Sequence, residues 1–137
     1  MVSFGAGGIV CLYRIIDYLV TMKNVFRQKS FAFAVRIVRL YKFLCEEKKE
    51  FVLSKQLLRA GTSIAANHRE VEQGESKSDF IHKMAIVQKE CNESIYWLEL
   101  LYATEYITEI QFNNIIKDAI ELMKMSTTIL NTSKRNR

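Results

Sequence analysis

The sequence contains no proline, and only five of its 137 residues are glycine. Three of these glycines, Gly5, Gly7 and Gly8, stand near the start, so that only Gly61 and Gly74 interrupt the remaining chain. A β-rich fold needs many tight turns, and such turns depend on glycine, proline and Asn-Gly pairs. The shortage of these residues argues against a β-rich fold and favours long helices joined by short polar loops.

Cysteine is scarce as well. The three cysteines, Cys11, Cys45 and Cys91, are odd in number, widely spaced and set in apolar stretches. A small secreted domain held by disulfide bonds carries an even number of cysteines in a recognisable framework. We therefore expect buried, reduced thiols in a cytoplasmic protein.

Motifs for catalysis and for cofactor binding are missing. There is no Gly-x-Ser-x-Gly elbow, and the glycines at 5–8 precede no Lys-Ser or Lys-Thr pair, which a phosphate-binding loop requires. A di-iron bundle needs two Glu-x-x-His pairs, whereas the related pair here is Asp79 with His82. We expect no enzyme activity, no metal and no cofactor, and we interpret His68 as a hydrogen-bonded core residue.

The first 21 residues differ from the rest of the chain. The stretch from Ile9 to Val20 is apolar but is interrupted by Arg14 and Asp17, and it is shorter than the roughly 20 apolar residues of a membrane span. It also lacks the basic start and the small-residue cleavage site of a signal peptide. We expect an extension at residues 1–21, which is either a short helix or not native, and no membrane segment. The bundle domain should cover residues 22–131, followed by a basic tail at 132–137.

Apolar residues recur at helical spacing in four segments. Because the connections between them are short, neighbouring helices should be antiparallel. The sequence therefore predicts an all-α, antiparallel up-down-up-down four-helix bundle, with Gly74 as the C-cap of the second helix. The predicted helices cover about Phe31–Glu47, Val52–Gln73, Lys77–Ala103 and Thr108–Leu130.

Capping residues indicate where three of these helices begin. Ser30 is a candidate N-cap of the first helix. Ser76 followed by Asp79 resembles a capping box with a shorter acid, and Thr108 with Gln111 forms a Thr-x-x-Gln capping box. These signals predict the beginnings of the first, third and fourth helices.

The last turns of the third helix are apolar on nearly every side, through the aromatic residues and leucines at 96–102. A helix that is apolar all round is buried all round, and a single bundle does not achieve this, so we expect contact with another subunit. Arg59 should pair with Glu90 or Glu93, from the neighbouring helix or from the next subunit, because guanidinium binds carboxylate in a bidentate manner. The interface and ion-pair candidates are Arg59, Glu70, Glu90, Glu93, Tyr96, Trp97 and Leu101.

The net charge of +5 is unevenly distributed along the chain. Residues 22–49 carry eight basic and two acidic side chains, whereas residues 75–106 carry three basic and six acidic ones. A basic surface binds phosphate backbones through counterion release, with little reading of sequence. We therefore predict RNA or DNA binding through a stripe on the first helix and the cations just upstream of it. The candidates are Arg36, Arg39 and Lys42 in the stripe, and Lys23, Arg27 and Lys29 upstream.

A second interpretation stays open for the same stripe. Charged residues on one side of a helix are commonly no more than its solvated face. The protein would then be a structural or protein-interaction module that binds no nucleic acid.

Several stretches of the chain resemble one protein family. Residues Phe51–Asn67 resemble the second-helix motif of the small four-helix-bundle proteins encoded by intervening sequences of bacterial 23S ribosomal RNA genes. The resemblance continues through Gly74–Phe80 and Lys89–Leu98. Arg36–Val38, with Tyr41 and Lys42, fits the first helix of that family.

This resemblance implies a four-helix bundle that assembles as a ring-shaped homopentamer. The family is also similar to the accessory variability protein of diversity-generating retroelements, which binds nucleic acid and a reverse transcriptase. The partners implied are thus further copies of the chain, RNA or DNA, and a protein. Two departures are His68, where the pattern has an aliphatic residue, and residues 1–21, which have no counterpart.

Overall fold

A computed structural model describes residues 6–73 and 76–135, and these residues form four helices and no strand. Each helix packs against its neighbours in the order α1–α2–α3–α4, and α4 closes the bundle against α1. The prediction of an all-α four-helix bundle is confirmed. The bounds are Ala6–Glu46 for α1, Leu53–Glu72 for α2, Lys77–Ala103 for α3 and Glu109–Arg135 for α4.

Helix α1 begins far upstream of its predicted start. Ser30 is not an N-cap, since it lies buried inside the helix and its hydroxyl donates a hydrogen bond to the carbonyl of Arg27 at 3.1 Å. The helix continues because residues upstream of Ser30 keep the apolar stripe of the bundle, with the side chain of Phe26 fully buried. The residues from Gly7 to Thr21 form its first turns, and nearly all of their side chains are exposed. Cys11 is among them, which contradicts the expectation that all three thiols are buried.

Helix α4 also runs further than predicted. It ends at Arg135 instead of near Leu130, and Ser133 is buried against the bundle, where its hydroxyl donates to the carbonyl of Ile129. The first four residues of the predicted basic tail therefore belong to the helix. No helix in the part of the chain that the structure describes is long and apolar enough to cross a membrane.

The core is a continuous column of apolar side chains from all four helices. Phe33 and Ile37 come from α1, and Ile64 from α2. Met84 and Leu98 of α3 complete the same column, which also takes the fully buried side chains of Leu44, Leu57, Leu101, Leu122 and Ile129. The apolar faces that the sequence predicts for the four helices are the faces that pack together in this core.

Gly61 allows α1 and α2 to approach each other closely. A Cβ atom at this position would lie 2.8 Å from Cγ1 and 3.0 Å from Cγ2 of Ile37. Those distances are shorter than carbon–carbon contact, so an alanine side chain does not fit without movement. The glycine in the middle of a helix is thus explained by packing, as its low helix propensity suggested.

The predicted caps of α3 and α4 are present. The Ser76 hydroxyl accepts a hydrogen bond from the backbone N–H of Asp79 at 3.1 Å. At α4 the exchange is reciprocal: the Gln111 N–H donates to the Thr108 hydroxyl, and the Thr108 N–H donates to the Gln111 side-chain oxygen. The predicted C-cap at Gly74 lies outside the described residues.

Glu50 caps α2, a role that the sequence did not indicate. It is only 7% exposed, and its carboxylate accepts hydrogen bonds from the backbone N–H groups of Val52, Leu53 and Ser54 at 3.0, 2.8 and 2.7 Å. Burial alone would raise the pKa of this carboxyl, but these hydrogen bonds outweigh burial and lower the pKa below its usual value of 4.5. The negative charge also suits the N-terminal end of the helix dipole.

We expect Glu50→Ala to lower the free energy of unfolding by about 1–2 kcal/mol, because three backbone donors lose their acceptor. Since the folded pKa is lowered, this stabilisation is present above about pH 4.5 and is lost as the pH falls below that value. Urea denaturation at neutral and acidic pH measures both effects. Glu47→Ala, which removes an exposed carboxylate from the same turn, serves as control and should change little. An equal loss in the two variants would contradict the capping role.

His68 lies in the core, 1% exposed, with its ring 4.7 Å from that of Phe26. Its Nδ1 has no hydrogen-bond partner in the described part of the chain and stands 3.7 Å from the Glu72 carboxylate. Burial lowers the pKa of His68; Glu72 opposes this shift, while Arg27 and Lys23 add to it. The core position was predicted correctly, but Nδ1 does not form the hydrogen bond expected of a core histidine.

Candidate nucleic-acid interface

Two of the predicted phosphate-binding cations are held by α4. The guanidinium of Arg36 donates to the Asp118 carboxylate, the Asn114 side chain and, at 3.3 Å, the Asn114 carbonyl. Lys29 forms an ion pair with Glu121. These contacts join α1 to α4, so that both cations contribute less free charge than the sequence suggested.

Two more of the predicted cations contact α2 and α3. Arg27 donates to the Glu72 carboxylate at 3.1 Å. The ammonium of Lys23 lies 4.4 Å from the centroid of the Phe80 ring, and burial lowers the pKa of this lysine. Together with Arg36 and Lys29, four of the six candidates therefore have partners within the chain.

Arg39 and Lys42 differ from these four. Both are exposed, and neither forms an ion pair within the described part of the chain. They lie at one end of a shallow groove of about 320 Å³ on the outer side of α1. The other residues that line the groove are apolar: Phe31, Ala34, Val35 and Val38.

Arg69 of α2 adds a cation that sequence reasoning missed. Its guanidinium carbon lies 5.6 Å from the centroid of the Phe31 ring, and the residue is exposed. It lines a second groove of about 370 Å³, between α1 and α2, together with Asn24, Arg27, Gln28 and Phe31. The sequence did contain a signal, because antiparallel pairing of α1 with α2 places the end of α2 beside this part of α1.

The predicted ion pair of Arg59 forms within one chain, between α2 and α3. Its guanidinium donates to Glu90 at 3.4 Å and to Glu93. The Glu93 carboxylate also accepts a hydrogen bond from the Trp97 indole N–H at 3.2 Å. The bond from Arg59, followed by the one from Trp97, lowers the pKa of Glu93 against the effect of burial. Of the two arrangements expected, the structure has the one between neighbouring helices.

The remaining interface candidates have different environments. Tyr96 is exposed, and its ring meets that of half-buried Trp97 edge-on at 4.9 Å. Glu70 is exposed on α2. Leu101 is fully buried in the core of its own chain, so its proposed place on a subunit surface is wrong. Some apolar side chains near the end of α3 are therefore buried in the core of the bundle, and others are exposed. The sequence pattern did not distinguish these two groups.

Metal-ligating side chains do not converge on one point in the described ranges. No group of three histidine, cysteine, aspartate or glutamate residues has a metal-binding arrangement there. Asp79 forms an ion pair with Lys83 at 3.3 Å, and His82 is exposed. Burial raises the pKa of the Cys91 thiol to about 12, which makes it a poor nucleophile at neutral pH.

Comparisons with known proteins identify relatives of this chain. A search of curated proteins finds no match. A solved structure from Bacteroides thetaiotaomicron VPI-5482, described as a protein with unknown function from the S23 ribosomal protein family, is 56% identical. The match covers 80% of this chain and 98% of that one, with a TM-score of 0.79. The family model for the 23S rRNA-intervening sequence protein matches residues 22–128. The chain therefore belongs to the family of 23S rRNA-intervening sequence proteins.

Proposed function

We propose that the protein is a non-enzymatic, cytoplasmic accessory protein that binds RNA or DNA through the basic surface of α1. The observation that carries this proposal is the position of Arg39 and Lys42 on the outer side of α1, where both are exposed and form no ion pair with any residue that the structure describes. Arg69 extends the same surface onto α2. Cations of this kind are available to phosphates, whereas Lys29 and Arg36 are already neutralised by carboxylates of α4.

Binding of this type depends on charge and shape. Each phosphate that a lysine or arginine neutralises releases counterions, and the resulting gain is independent of base sequence. A homo-oligomer would repeat the surface of each subunit and so increase its avidity. Exposed apolar side chains at Tyr96 and Ile110 support self-association, and the family resemblance gives five subunits.

A salt titration with structured RNA tests the proposal. If Arg39, Lys42 and Arg69 of a subunit each contact one phosphate, the logarithm of the binding constant should fall against the logarithm of salt concentration with a slope of about −2 to −3 per subunit. Fluorescence anisotropy at several salt concentrations measures this slope. An absence of binding at low salt would rule the proposal out.

The alternative is a protein-interaction module, and the surface of α3 and α4 favours it. Ile110 is 81% exposed, and Tyr96 stands near the exposed carboxylate of Glu99 on the next turn. An apolar surface next to acidic residues suits a protein partner better than a polyanion. Retention of a protein partner by a variant that has lost nucleic-acid binding would identify this second role.

A further inference from the structure

We propose that the nucleic acid bound by α1 is single-stranded, and that Phe31 is the side chain on which an unpaired base stacks. This inference rests on the proposed function and specifies its substrate. It is based on the two grooves beside α1, which both include Phe31 in their lining.

Phe31 lies on the outer side of α1. It is 55% exposed, because it stands two residues from fully buried Phe33 and therefore on the opposite side of the helix. The Arg69 guanidinium carbon lies over one face of the Phe31 ring, 5.6 Å from the centroid, so that a base would stack on the other face. Aromatic rings and arginine planes are the surfaces on which proteins stack unpaired bases.

The charges around Phe31 suit a phosphate backbone. Cations with no carboxylate partner among the described residues lie on both sides of the ring: Arg69 in one groove, and Arg39 and Lys42 in the other. No carboxylate is among the residues that line either groove, although Arg27 of the first groove is paired with Glu72 of α2. From Asn24 to Lys42 this track extends for roughly 27 Å along the helix axis.

The polar groups of the first groove can read a base that the ring holds. Asn24 and Gln28 line it beside Phe31, and their amides can donate to and accept from the edges of a base. The second groove offers Val35 and Val38, which suit the apolar face of a neighbouring base. In a duplex the bases are already stacked and paired, so this combination is useful only to a single strand.

An acidic protein segment is a less suitable occupant of the same surface. It would satisfy the cations of Arg39, Lys42 and Arg69, but it presents no flat ring to the face of Phe31 that Arg69 leaves uncovered. Dependence on stacking therefore distinguishes a single-stranded nucleic acid from an acidic protein segment. A polyglutamate peptide serves as the probe for the acidic segment.

The test compares a labelled single-stranded RNA of about 12 nucleotides with the same strand annealed to its complement, at low salt. The wild-type protein should bind the single strand more tightly than the duplex. Phe31→Ala should weaken single-strand binding by about fivefold to a hundredfold and change duplex binding by less than about twofold. The salt dependence should stay the same, since no phosphate contact is removed.

Three further variants sharpen this test. Phe31→Trp should retain binding, whereas Phe31→Leu, which keeps apolar bulk without a ring, should behave like Phe31→Ala. Phe51→Ala is the matched control, because Phe51 is 57% exposed but lies outside both grooves, and it should have no effect. Circular dichroism verifies that each variant is folded.

The outcomes distinguish the inference from the function on which it rests. Equal affinity for single strand and duplex, an equal effect of Phe31→Ala on both, or full binding by Phe31→Leu would overturn the inference while the proposed function stands. Phe31-dependent binding of polyglutamate would overturn it in favour of an acidic protein segment. An absence of binding to either RNA would overturn both.

Discussion

Reversing the charges of Arg39 and Lys42 together, to glutamate, should lower the affinity for RNA about a hundredfold at low salt. Each replacement removes one phosphate contact and introduces a repulsive charge in its place. The two residues are suitable because they are exposed and take part in no ion pair among the described residues, so the bundle does not depend on them. Anisotropy titrations measure the loss, and the salt dependence should become correspondingly shallower.

Arg36 is unsuitable for this charge-reversal test, because a loss of RNA affinity at this residue would not report on phosphate contacts alone. It holds Asn114 and Asp118 of α4, so reversal of its charge disturbs the α1–α4 contact as well as the surface. A matched control is the reversal of Lys117 and Lys124, which changes the net charge equally on the exposed face of α4. If this control weakens binding as much as the α1 variant, only the total charge matters, and the assignment of the site to α1 is contradicted.

Replacing Gly61 by alanine should destabilise the protein by about 2–3 kcal/mol, although alanine is the better helix former by about 1 kcal/mol. The new Cβ would stand 2.8 Å from Cγ1 of Ile37. Ile37 is fully buried and branched at Cβ, so its side chain has essentially one rotamer in a helix and no space to turn into. The helices must separate instead, and that loosens the core along α1 and α2.

A double-mutant cycle isolates this contact. Ile37→Ala alone should cost about 2–5 kcal/mol, because it leaves a cavity in the core. In that background Gly61→Ala should cost little or stabilise, since Cγ1 and Cγ2 are gone and only the Cβ of residue 37, at 3.3 Å, remains to make a small shift. Urea denaturation measures all four proteins at one fixed protein concentration, because the proposed self-association would contribute to apparent stability. Additive effects of the two substitutions would contradict the steric explanation.

Most of the fold could be read from local signals in the sequence. The bounds of α3 were predicted correctly and those of α2 and the start of α4 to within one residue, because Ser76 and Thr108 are caps and the loops are short. The predicted start of α1 was wrong because it depended on the same kind of local signal, a candidate cap. Ser30 has the side chain of a cap, but the apolar stripe continues upstream of it, and no proline or glycine interrupts the helix there.

The candidate site could be predicted only in part. The cations of α1 are evident in the sequence, whereas their partners depend on the register of distant helices: Arg36 and Asp118 are 82 positions apart. Arg69 was missed for a related reason, since its contact with Phe31 exists only once α2 has packed against α1. The number of charged residues on α1 is evident from the sequence, but tertiary packing decides how many of them remain available to bind a partner.

The ion pairs between α1 and α4 have a consequence for how the molecule meets other charged molecules. Carboxylates of α4 neutralise Lys29 and Arg36. The cations that keep their charge available are therefore Arg39 and Lys42 on the outer side of α1 and Arg69 on its α2 side. If the protein binds RNA or DNA as proposed, the polyanion would attract these unpaired cations first and would orient the bundle before the surfaces touch. Such orientation during diffusion would raise the association rate at low ionic strength, while short-range contacts would govern the lifetime of the complex.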